Sequence, residues 1–119
     1  MPLTALGLAL TLLLPAGRFT AYFTPAFADA AYQNEVAAKV QKAWKPPTGA
    51  PVGKKTVLVA QIAKDGSLAG LRDHMMTGFK PWDDAAIKAV KTAAPFAPLP
   101  KGWGFPTMEV HFHFEVVSK

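Results

Sequence analysis

The sequence predicts a small α+β domain of order αββαβ, a three-stranded antiparallel sheet with two helices packed on one face. Three observations carry that prediction. Tyr32, Val36, Val40 and Trp44 recur at the spacing of one helical face. Asp65-Gly66 stands between two runs of strand character, the usual chemistry of a tight hairpin. From Thr107 to Val117 the chain alternates strictly, with Met108, Val110, Phe112, Phe114 and Val116 on one side and Glu109, His111, His113 and Glu115 on the other.

The first 30 residues read as an export segment or membrane anchor, and residues 31–119 as the domain. Leu3–Leu14 is a largely apolar run of 12 residues. Spanning a bilayer takes roughly 20, so a run of this length suits the core of a secretory signal. Ala26-x-Ala28 and Ala28-x-Ala30 both fit the small-residue rule for signal cleavage. If instead residues 3–28 stay attached, they tether the domain to a membrane.

The first helix follows and ends at Lys45-Pro46-Pro47, because a residue before proline is pushed out of the α region. Lys55–Ala63 is β-branched and apolar, a strand of ordinary length, and Leu68–Met76 is its return strand. Pro81 suits the first turn of a second helix, where its missing N–H does no harm. Asp83 and Asp84 in that turn complement the helix dipole. Ala86, Ile87, Val90 and Ala93 form its buried stripe. The prolines of Pro95-Phe96-Ala97-Pro98-Leu99-Pro100 impose an extended path, from which Phe96 and Leu99 can still reach a core. The final strand needs one covered face and one wet face.

Composition removes several functions. At 119 residues the chain has room for one domain. With no cysteine there is no disulfide framework, thiolate metal site or redox pair. The net charge of +5 favours acidic partners without naming one. Arg72 is the only arginine after residue 31 and the lysines are scattered, whereas nucleic-acid binding calls for clustered basic residues. Downstream of the leader the only serines are Ser67, in the hairpin turn, and Ser118, at the chain end, and neither has a base in reach. No phosphate loop occurs. The sequence therefore predicts a non-enzymatic domain without a cofactor. His111 and His113, two apart on one strand face, are weak candidates for a metal ion and define an alternative periplasmic metal-binding reading. Trp103, between two glycines, is a candidate contact anchor. A small sheet also has open edges that can take an extended peptide, or pair two copies into a homodimer.

The run Tyr32-x3-Val36-x3-Val40-x3-Trp44-x-Pro46-Pro47, then Lys64-Asp65-Gly66-Ser67, Gly78, Asp84-Ala85-Ala86-x3-Val90, Pro95-Phe96-Ala97-Pro98-Leu99-Pro100 and Val110-x-Phe112-x-Phe114 resembles the C-terminal domain of the TonB/TolA energy-transducer proteins. The resemblance covers about residues 32–117. It implies a periplasmic domain that binds envelope proteins, such as a TonB-dependent receptor of the outer membrane or Tol–Pal partners, partly by strand addition at the sheet edge. By position, the binding edge is the last strand, with mainly backbone contacts from Met108, Val110, His111, Phe112, His113 and Phe114. A membrane-tethered energy transducer is the alternative implied if the leader remains attached.

Overall fold

The computed structural model describes residues 16–118. The apolar run Leu3–Leu14 lies outside the described residues. The elements are β1 (Gly17–Phe23), α1 (Ala30–Ala43), β2 (Lys55–Ala63), β3 (Leu68–Met75), α2 (Lys80–Ala93) and β4 (Thr107–Val116). All strand pairs are antiparallel, and the sheet order is β1-β4-β2-β3. The sheet thus has four strands where the sequence predicts three. The extra strand is Gly17–Phe23, which the sequence assigns to the export segment. Its residues alternate, Gly17, Phe19, Ala21 and Phe23 toward the helices and Arg18, Thr20 and Tyr22 away, but the flanking apolar run masks that period.

Local chemistry accounts for each helix. The Asp29 side chain accepts from the Tyr32 amide and caps α1. Tyr32, Val36 and Val40 then face inward, and Trp44 closes the stripe beyond the last turn. In α2, Pro81 lies in the first turn and Trp82, Ala86, Ala89, Val90 and Ala93 are buried. The two helices lie side by side over one sheet face. Leu58, Ala60, Ile62, Met108, Val110, Phe112 and Phe114 rise from the strands to meet them.

The opposite face is less open than a solvated face should be. Val57 and Val59 point there and are nonetheless buried. The register sets them between His113 and His111 on β4 and Met75 and Arg72 on β3. Long side chains can cover such positions with their stems while their tips stay in water.

The proline-rich segment is fastened between α1 and the β2–β3 hairpin. Gly66 turns at φ +92°, and a Cβ there would overlap the Phe96 carbonyl oxygen. That close approach lets the Phe96 amide donate to Gly66 O at 2.8 Å and the Leu99 amide to Lys64 O at 2.9 Å. From the other side the Tyr32 hydroxyl donates to Ala97 O at 2.7 Å and Lys39 Nζ to Pro95 O at 2.7 Å. Burial, assisted by the Glu35 charge, pushes the Tyr32 hydroxyl up to about 12 from 10.0. The folded chain therefore binds this proton more tightly than the unfolded chain. Its contribution is intact below pH 10 and is lost as pH rises toward 12. Urea midpoints across that range should fall more steeply for the natural chain than for Tyr32→Phe. Parallel curves would show that the hydroxyl is solvated.

Candidate functional site

The sequence places β4 at the edge of the sheet, and the structure places it inside. β1 runs antiparallel along it in unbroken register, from Gly17 opposite Val116 to Phe23 opposite Val110. On its other side β4 pairs with β2 from Thr107–Ala63 to Glu115–Lys55. The backbone of Val110 to Phe114 is thus engaged on both sides by this chain. The reason is apolar: β1 carries an aromatic that the inner face of β4 can bury. Phe19 lies 5.2 Å from Phe114, 5.9 Å from Phe112 and 6.5 Å from Trp44, centroid to centroid.

The edge beneath β1 is a fitted seat. Met108, Val110, Phe112 and Phe114 form its floor and are fully buried. Its upper end is roofed by two indoles at a right angle, Trp44 and Trp82, with centroids 5.4 Å apart. The Trp82 Nε1 donates to Phe114 O at 3.0 Å, which fixes that ring on the backbone of β4. Trp44 Nε1 is buried without a hydrogen-bond partner among the described residues. Both rings reach Gly17. A Cβ on Gly17 would overlap Trp44 Cη2 and lie 2.7 Å from Trp82 Cη2.

The connection from β1 to α1 is well tied. The Phe27 amide donates to Thr24 O at 2.9 Å, and Gln33 Nε2 to Phe27 O at 2.7 Å. Trp103, the candidate anchor, packs edge-on against Phe27 at 5.3 Å, and its Nε1 donates to Thr107 O at 2.9 Å. It is half-buried, and the exposed aromatic beside it is Phe105, 60% accessible.

His111 and His113 lie on the outer face with separate partners. His111 Nε2 is 2.7 Å from Glu109 Oε2. That hydrogen bond draws the Glu109 carboxyl below the usual carboxylate range, helped by Gln61 Nε2 at 2.9 Å. His113 meets the Tyr22 ring edge-on at 4.6 Å. Desolvation holds its imidazole below the ordinary value, as do the nearby Lys55, His111 and His74. Among the described residues, no group of three or more acidic or histidine side chains is placed to hold a metal ion.

A carboxylate that the sequence assigns only to the helix dipole organises the approach to α2. Asp83 belongs to the first turn, as expected, and it is buried. Its Oδ1 accepts from Thr56 Oγ1 at 2.6 Å, Thr77 Oγ1 at 2.9 Å and the Thr77 amide at 3.0 Å, and Oδ2 from the Gly78 amide at 3.2 Å. Asp83 thereby joins β2, the β3–α2 loop and α2, and sets the adjacent Trp82 over β4. Asp84, its neighbour, is exposed and pairs with Lys80 at 2.6 Å.

The far edge of the sheet is of another kind. β3 pairs with β2 through two register irregularities and carries Arg72, Asp73 and His74 in exposed positions. Bulges and charge are the usual means of blunting an edge against further pairing.

Known proteins resemble this arrangement. A sequence model described as TonB C terminal matches residues 29–114. The solution structure of TolAIII, bound to a peptide derived from the N-terminus of TolB, superposes with a TM-score of 0.55 at 18% identity. That match covers 70% of this chain and 73% of TolAIII, and the likeness is one of fold. No curated protein sequence matches the chain.

Proposed function

The chain belongs to the TonB C-terminal family, and from that premise we propose that it is a non-enzymatic periplasmic domain that captures an extended segment of another envelope protein. A TonB-dependent receptor and a Tol–Pal component are the partner classes this reading names. Capture takes place by strand addition to β4, through the backbone of Met108, Val110, His111, Phe112, His113 and Phe114. The observation that supports it is the seat itself: β4 accepts a seven-residue antiparallel strand, β1, from Val110 to Val116. The family model matches from residue 29, so β1 lies outside the matched residues. Cleavage of an export leader at Ala28 or Ala30 would remove β1 and open the edge. In an uncleaved chain the partner must displace it. With β3 blunted, removal or displacement of β1 leaves β4 as the edge that can pair.

The absence of cysteine makes a clean test available. Arg18 and Glu115 are register partners on the outer face, both exposed. An Arg18→Cys/Glu115→Cys chain, oxidised, locks β1 on β4 and, reduced, leaves it free. The reduced chain should capture an envelope protein from solubilised envelopes that the oxidised chain loses. Identical capture in both states would place the partner elsewhere.

A further inference from the structure

We infer that the β4 edge reads side chains as well as backbone, and that its partner segment carries a glycine followed two positions later by an aromatic. This rests on the strand-capture reading above and specifies the partner. The seat has two features that a ladder of hydrogen bonds does not need. Its upper end admits no Cβ: the position held by Gly17 meets Trp44 and Trp82, and Glu115 O lies 3.1 Å from where the Cβ would be. The restriction is one of space. Two residues along, Phe19 fills a pocket of Phe112, Phe114 and Trp44 and is itself buried. Ala21 and Phe23 continue the inward row and are only partly buried. Arg18, Thr20 and Tyr22 face outward, where Arg18 reaches Glu115 at 3.4 Å between two exposed side chains, a weak contact. Specificity therefore concentrates at the first and third positions. β1 itself, Gly17-Arg18-Phe19-Thr20-Ala21-Tyr22-Phe23, is a segment of this pattern and shows the fit.

The geometry explains why the two requirements belong together. Trp44, one of the two indoles that exclude a side chain at Gly17, also closes over Phe19 and Phe114, with centroids at 6.5 and 5.2 Å. A larger residue at the first position would have to lift Trp44 and so open the aromatic pocket. A segment with correct backbone pairing but a branched first residue loses both contacts.

The test uses the full chain and a labelled heptapeptide of the β1 sequence. Tethered β1 competes at an effective concentration on the order of millimolar, so the chain is opened by Gly17→Val/Phe19→Ser. Hydrogen exchange of the β4 amides reports opening, and retained protection of β2 reports that the domain is folded. A second form keeps the natural β1 but is nicked at a protease site introduced between Thr24 and Asp29, which lets β1 exchange without altering the seat. The natural heptapeptide should bind either form. Peptides with valine at the first position or serine at the third should bind at least about 10-fold more weakly. Changes at the second, fourth and sixth positions should leave affinity within about threefold. Equal binding of all peptides would overturn the pattern while leaving backbone capture intact. No binding to a chain whose β4 amides exchange freely would overturn strand capture as well. A doubled mass of the uncut natural chain, lost on nicking, would show that β1 of a second copy occupies β4 and would overturn the envelope partner.

Discussion

Asp83→Ala lowers the stability of the domain by about 3–5 kcal/mol, a fifth or more of what a domain this size ordinarily has. The magnitude follows from what is left behind. Four donors converge on this carboxylate: the Thr56 hydroxyl, the Thr77 amide and hydroxyl, and the Gly78 amide. Thr56 is fully buried and Thr77 nearly so, and water cannot replace the lost acceptor without opening the loop. Each buried donor left unmet costs about 1–3 kcal/mol, less where partial solvation rescues it. Asp83→Asn should cost less, about 1–2 kcal/mol. Its carbonyl oxygen can still accept from both threonines, while its amide faces the Gly78 N–H and loses that bond. Urea unfolding of the three chains measures the order. An alanine variant within 1 kcal/mol of the natural chain would show that the loop admits water freely.

Asp83 also marks where sequence reading stops. Its place in the first turn of α2 is legible, because Pro81 and the apolar spacing after it define a helix start. Its burial is not, because that depends on Thr77-Gly78 folding back over the helix and on Thr56 arriving from β2, 27 residues away. The main elements are legible for a related reason: their signals are local. Tyr32, Val36, Val40 and Trp44 are all buried, as the stripe predicts, and Phe96 and Leu99 do reach the core. β4 alternates as its sequence does, buried at every second residue. The neighbours of β4 are another matter, since alternation fixes which face is covered and says nothing about which strand lies alongside. β1 sits beside a long apolar run, and the Arg18–Thr20–Tyr22 alternation is too short to stand out from it. The roof of the seat is equally hidden. It needs Trp44 from the end of α1 and Trp82 from the start of α2 to converge on Gly17, a meeting set by helix packing.

That meeting makes Trp82→Ala the other large loss, about 3–5 kcal/mol, as expected for a fully buried tryptophan. The variant removes the hydrogen bond to Phe114 O, the edge-on contact with Trp44 and half of the roof over Gly17. Trp82→Phe is the more informative change. It keeps an aromatic in place, loses the N–H and no longer extends to the atom that crowds Gly17. On its own it should cost about 1–2 kcal/mol. In the natural chain Gly17→Ala should also destabilise, because its methyl meets both indoles. Combined, the two should cost less than their sum, with a coupling of at least about 0.5 kcal/mol, since the shorter ring leaves room for the methyl. The four chains of this cycle, unfolded in urea, isolate the contact between roof and strand. Strict additivity would mean that Trp82 does not press on Gly17, and the glycine requirement of the seat would then rest on Trp44 alone.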